Sequence, residues 1–107
     1  MAVRKNYREY NTVSKSGTGT SSWIYLDHFP TNNKLLIIVE VTGTVNYTVE
    51  IAGTDPFAGA EVVEHYDLKS QNSSRASAWI YPAQGVRIVN NSGDGSTTLT
   101  VIESGDR

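Results

Sequence analysis

The chain has 107 residues, 38% of them hydrophobic, no cysteine and a formal net charge of −2. That length closes one core and no more, and the missing cysteines exclude disulfides and thiolate metal sites. No apolar run approaches the roughly 18 residues of a membrane span, and the start has no apolar stretch of signal-peptide length, so the expectation is a soluble protein made in a cytoplasm with no membrane partner.

Residues 1–22 hold Arg4, Lys5, Arg8 and Lys15 against Glu9 alone, a net +3 that leaves −5 on the rest. Residues 1–13 are polar and basic with Tyr7 and Tyr10 and show no helical stripe; Ser14 to Ser22 is Ser-Lys-Ser-Gly-Thr-Gly-Thr-Ser-Ser. Small polar residues of this kind read as a flexible linker that adds nothing to a core. The expectation is a basic arm and linker over 1–22, in front of a domain over 23–107. Such an arm suits an acidic partner surface, and its tyrosines supply area to bury on docking.

Trp23 to His28 is the first expected strand, ended by a loop at Phe29-Pro30-Thr31-Asn32-Asn33. Lys34 to Val41 is apolar at six positions, interrupted by Glu40, and reads as a strand buried on both faces. Thr44 to Ile51 alternates strictly: Val45, Tyr47, Val49 and Ile51 on one face, Thr44, Asn46, Thr48 and Glu50 on the other. That is the signature of a half-buried antiparallel strand. Thr42-Gly43 between the two is expected to close a hairpin.

Gly53 to Ala60 reads as a loop, Glu61 to Leu68 as a short irregular strand, and Ala76 to Tyr81 as a strand ended by Pro82. Gly85 to Asn90 and Thr97 to Glu103 follow, separated by the strong turn signal Asn90-Asn91-Ser92-Gly93-Asp94-Gly95, and Ser104 to Arg107 reads as a fraying tail. Short strands with turn residues between them and no helical segment predict an all-β, antiparallel β-sandwich or jelly roll with a flexible N-terminal arm.

Few residues suggest catalysis. His28 and His65 lie in different elements with no metal-ligand spacing. Glu61, Glu64 and Asp67 read as the charged edge of a strand, since acid–base work needs burial. Gly53-Thr54-Asp55 and Ser92-Gly93-Asp94-Gly95 lack the spaced acids of a calcium loop, and Gly17-Thr18-Gly19 lacks the lysine of a phosphate loop. The expectation is no enzyme, no cofactor and no metal. Two binding alternatives remain. Trp23, Trp79 and Tyr81 can be drawn as a sugar-stacking platform, the alternative being a core role for the tryptophans. The basic arm can be drawn on phosphates, which the acidic body disfavours.

Gly43-Thr-Val-Asn-Tyr-Thr-Val-Glu50, Asp55-Pro56-Phe57, and Tyr81-Pro-Ala-Gln-Gly-Val-Arg-Ile-Val89 leading into Gly93-Asp-Gly-Ser-Thr-Thr-Leu-Thr-Val-Ile102 occur in that order. Together they resemble small all-β structural proteins of tailed bacteriophages, over roughly residues 35 to 104. The resemblance implies a last hairpin between the Val-Arg-Ile-Val strand and the Thr-rich strand. It also implies a virion component of the capsid decoration or cement type, or else of the neck or tail, partnered by the major capsid protein and by its own copies as a trimer or dimer. On this reading Arg4, Lys5, Tyr7, Arg8 and Tyr10 make the capsid contacts.

Overall fold

The computed structural model describes residues 6–26, 31–53, 61–81 and 83–106. Among these, nine strands form: β1 (Asn6–Ser16), β2 (Gly19–Thr20), β3 (Ile24–Tyr25), β4 (Thr31–Thr42), β5 (Val45–Ala52), β6 (Val62–Glu64), β7 (Arg75–Trp79), β8 (Gly85–Gly93) and β9 (Ser96–Asp106). The chain pairs with itself as one nested antiparallel hairpin: β1 with β9, β2 and β3 with β8, β4 with β7, and β5 with β6. Lateral pairing of β4 with β9 and of β5 with β8 rolls this ribbon into two sheets, ordered β1-β9-β4-β7 and β2-β8-β5-β6, with β3 also on β8. Of the two expected architectures, this order is the jelly roll.

The alternation of β5 is as read: Val45, Tyr47, Val49 and Ile51 are all buried. Tyr47, Val49 and Ile51 form one cluster with Leu35, Ile37 and Val39 of β4, Leu99 and Val101 of β9, and Val86 and Ile88 of β8. Each such side chain contributes about 1.5–3 kcal/mol on leaving water. Tyr47 is the largest of the fully buried side chains, and its hydroxyl donates to Ser73 O at 2.8 Å. That bond satisfies a polar atom which burial would otherwise leave costly.

Three expectations are corrected. First, β4 and β5 do not form a hairpin, and neither do β8 and β9, because each pair crosses from one sheet to the other at Gly43 and at Asp94-Gly95. A short Gly-containing turn serves an arch between sheets as well as a hairpin within one. The strand also continues through Asn90 to Gly93, which narrows the expected turn. Second, β4 is buried on one face only, since Leu36 stays exposed and Ile38 half-exposed while Leu35, Ile37 and Val39 are buried.

Third, residues 6–16 are a strand, not an arm. β1 runs along β9 from Asn6 opposite Asp106 to Ser16 opposite Ser96. The segment read as a linker is also tied down. Gly17 N donates to Gly95 O, Ser21 N donates to Ile88 O, and Ile88 N donates to Ser21 Oγ. Main-chain groups need partners whatever their side chains are, so a polar segment serves as a sheet edge as readily as an apolar one. Asn90 makes the tie specific. It is buried, its Nδ2 donates to Lys15 O at 3.1 Å and Gly17 O at 2.8 Å, and its Oδ1 accepts from Thr97 Oγ1 at 2.7 Å.

The crossings stack at one end of the sandwich. Gly95 N donates to Thr44 O at 2.9 Å. Gly93 sits at φ +97°, where L side chains are strained, and a Cβ there would collide with Thr44 O and Val45 Cα.

Candidate interaction surface

The register of β1, β9, β4 and β7 arranges the outer face of their sheet in rows. Tyr10 lies opposite Ile102, Ile102 opposite Leu36, and Leu36 opposite Ala78, so one apolar row crosses all four strands. The next row toward the stacked turns is Thr12, Thr100, Ile38 and Ala76. Beyond it come Ser14, Thr98 and Glu40, then Ser16, Ser96 and Thr42. Hydroxyl pairs join the first two strands across these rows, with Thr12 and Thr100 Oγ1 at 3.3 Å, Ser14 Oγ and Thr98 Oγ1 at 3.3 Å, and Ser16 and Ser96 Oγ at 3.2 Å. Such cross-strand pairs contribute about 0.2–1 kcal/mol each.

Tyr10 is 67% exposed and Leu36 43% exposed. Scattered apolar side chains on a surface are ordinary, whereas a continuous band across a whole sheet is a candidate contact surface. Lys34 and Glu40 are exposed on β4, with Leu36 and Ile38 between them. Neither joins the two ion pairs found among the described residues, Glu64–Lys69 at 3.1 Å and Glu50–Arg87 at 2.7 Å.

The outer face of the other sheet is covered by its own chain. Ser70 N and Asn91 Nδ2 both donate to Thr48 Oγ1 at 3.0 Å, and Asn91 Nδ2 also donates to Asn46 Oδ1 at 3.0 Å. Asn91 is available for this because the register of β5 against β8 slips between Asn46 and Tyr47. Arg87 Nε donates to Glu50 Oε1 at 2.7 Å, and its guanidinium stands 4.3 Å from the Trp23 ring centroid. That stacking occupies one face of the indole.

His65, Tyr66, Trp79 and Tyr81 form an aromatic cluster away from the stacked turns. Trp79 is buried against the core, with Tyr81 edge-on at 5.3 Å and His65 tilted at 5.2 Å. His65 stacks on Tyr66 at 4.7 Å. The His65 ring is itself buried, with Nε2 at 3.0 Å from Ala78 O and Nδ1 accepting from Asp67 N at 3.0 Å. A main-chain N–H can only donate and a carbonyl can only accept, so His65 is the neutral tautomer with its proton on Nε2. Burial lowers its pKa, opposed by the Ala78 hydrogen bond and the Asp67 charge. Both nitrogens are used, so His65 has no lone pair for a metal, and no metal-binding group of His, Asp and Glu occurs among the described residues.

Of the expected contact residues, Arg4 and Lys5 lie outside the described residues, as does His28. Tyr7 and Arg8 take register positions opposite Gly105 and Ser104. Tyr10 is on the exposed row. Leu36, Ile38 and Ile102 were not singled out by sequence reasoning, although the parity of Ile102 against Leu99 and Val101 held the signal. The sugar-stacking set is divided, with Trp23 beside β8 on one sheet and Trp79 on β7 of the other. Asp67 Oδ2 accepts from Ser77 Oγ at 2.8 Å, and Glu64 pairs with Lys69, so both of these acids have local partners.

No protein-family model matches this chain, and no curated protein matches it in sequence. Among solved structures it is similar to a chain of Bacillus endospore appendages, described as a novel family of disulfide-linked pili. The TM-score is 0.63 at 14% sequence identity, over 97% of this chain and 90% of that one. At that identity the likeness is one of fold.

Proposed function

We propose that this chain is a structural subunit of a repetitive protein assembly, and within that class a decoration or cement protein of a tailed-bacteriophage capsid. The observation that carries the structural reading is the four-strand apolar row, with Ile38 in the row beside it, on a sheet face that no other described segment covers, with Tyr10, Leu36, Ile38 and Ile102 turned outward. Tyr25, Tyr66, Ile80 and Tyr81 are exposed as well, but this band runs in register across four strands and so offers a surface for a protein neighbour. The narrower virion reading is supported by the sequence segments that resemble phage structural proteins. Weak contacts of this size become effective when repeated on a lattice.

The shared fold with a protein of endospore pili favours a second form of the same reading, a filament subunit. This chain has no cysteine, so a filament of it would be held by packing alone and not by disulfides.

Quantitative peptide mass spectrometry of particles purified from the source separates these. Abundance comparable to the major shell protein is expected for a decoration protein. A small fraction of it would move the chain to the neck or tail. Absence from particles, with filaments of the purified protein visible by electron microscopy, would overturn the virion reading in favour of the filament.

A further inference from the structure

Strand β4 carries Lys34, Leu36, Ile38 and Glu40 on its outward side, evenly spaced about Ile37. That order is its own complement. Take a second copy laid face to face on this sheet, related by a two-fold axis in the interface and perpendicular to β4. The axis passes at the level of Ile37, so Lys34 of each copy stands over Glu40 of the other and Leu36 over Ile38. The same operation lays the row Tyr10, Ile102, Leu36, Ala78 on the row Thr12, Thr100, Ile38, Ala76. The tall Tyr10 then meets a threonine, and Ile102 meets Thr100, which is only 6% exposed. An axis parallel to the strands would instead bring both Lys34 residues to one end and both Glu40 residues to the other. Charge therefore chooses between the two packings.

We propose that the outer face of the β1-β9-β4-β7 sheet is an isologous interface for a second copy of this chain, with Lys34 and Glu40 of the two copies paired across it. A two-fold interface requires a self-complementary patch, and the charge order along β4 supplies one. Neither residue has an ionic partner among the described residues, so both are free to take one from another copy. Six residue steps of about 3.3 Å and three strand spacings of about 4.8 Å give a face of roughly 20 by 15 Å. A footprint of a few hundred Å² is well under the ~800 Å² per partner of a standard interface. The pairing is accordingly weak and concentration-dependent, and is reinforced only where copies are held close together. The proposal rests on the reading of the chain as an assembling subunit and names its partner.

Sedimentation equilibrium of the full chain, from about 10 μM to about 1 mM, tests it. The wild type is expected to pass from monomer to dimer over that range. Glu40→Lys and Lys34→Glu each replace two attractive pairs per dimer with two repulsive ones, and each is expected to weaken dimerisation roughly tenfold. The double variant Lys34→Glu/Glu40→Lys is expected to restore it. An equimolar mixture of the two single variants is expected to form a heterodimer tighter than either variant's own dimer. Lys34 and Glu40 are both exposed side chains, so folding is not at risk, and circular dichroism checks it. A wild type that stays monomeric throughout overturns the proposal. So does a dimer indifferent to the single reversals, or one that the double variant fails to restore. Particle mass spectrometry reads the attachment of the chain separately, so a monomer that is abundant on particles would sink this interface without touching the assembly reading.

Discussion

Replacing Asn90 with alanine tests whether β1 belongs to the folded domain. Asn90 is the point where the ends of β1, β8 and β9 are joined, through three hydrogen bonds of 2.7, 2.8 and 3.1 Å. Each is worth about 1 kcal/mol net, and a buried group left without a partner costs about 1–3 kcal/mol. Thr97 is fully buried, so its hydroxyl cannot turn to water once Oδ1 is gone. Lys15 and Gly17 are only half-buried, and water can reach their carbonyls, which discounts their share. The expected loss is about 2–4 kcal/mol, or roughly 10–20 °C in Tm for a domain of this size. Urea denaturation gives the first figure, and hydrogen exchange reports whether protection falls along residues 10–16 as well as at β9. A loss under about 0.5 kcal/mol, with exchange at β1 already fast in the wild type, would refute the integration of β1 and restore the flexible arm.

Four other perturbations have definite outcomes. Gly93→Ala combines a positive φ with a collision against Thr44 and should cost about 3 kcal/mol or more by urea denaturation. Gly53→Ala, whose added Cβ would meet nothing nearer among the described residues than Glu61 O at 3.9 Å, should stay within about 0.5 kcal/mol. For pH, the folded pKa of His65 lies below its ordinary 6.5, so on acidification the unfolded chain takes up a proton first. The His65 contribution is therefore complete above 6.5, and is lost as pH falls from 6.5 through the folded pKa. Denaturation midpoints between about pH 7.5 and 5 should fall in the wild type and flatten over that window in His65→Asn; equal slopes would exclude this residue. Deleting residues 1–22 removes β1 and β2 and bares the long edge of β9, and is expected to leave an insoluble or uncooperative fragment by circular dichroism and thermal melting. A fragment of residues 23–107 that melts cooperatively would show that β1 is dispensable.

The core strands were legible because their apolar residues follow a period of two. Val45, Tyr47, Val49 and Ile51 declare their face without help, and Leu99 and Val101 do the same in β9. β1 was not legible. Its positions 11, 13 and 15 turn toward the sandwich, and of Asn11, Val13 and Lys15 only Val13 is apolar, so hydropathy gives no stripe to find. What holds that strand is main-chain pairing, three hydroxyl pairs and one buried amide, and composition is blind to all of them. The sheet changes at Gly43 and at Asp94-Gly95 were hidden for another reason. The residues that permit a tight turn do not say whether the following strand pairs with the one before it. Leu36 escaped notice because the run from Leu35 to Val39 looks buried on both faces, and only the exposure of Leu36 on a face that no other described segment covers shows otherwise. Tyr10 was identified, but as part of an arm and not as the end of an apolar row.

The two sheets differ in how their outer faces are used, and the difference follows from where turn residues fall. The 65–74 segment folds back onto β5, where Ser70 and Gln71 meet Thr48 and Tyr47, and Trp23 comes down on Arg87. Nothing comparable lies over β9 and β4 among the described residues. A fully apolar face left open there would aggregate without selectivity. Thr98, Thr100, Thr12, Ser14 and Ser16 prevent that, since threonine keeps the β-branched shape that a strand favours while presenting a hydroxyl. The apolar part is thereby confined to a band one or two rows deep, with a lysine at one margin and a glutamate at the other. On the proposed reading, such a band would give contacts that are weak singly, fixed in direction by charge, and cumulative on a lattice, as reversible assembly of a small subunit requires.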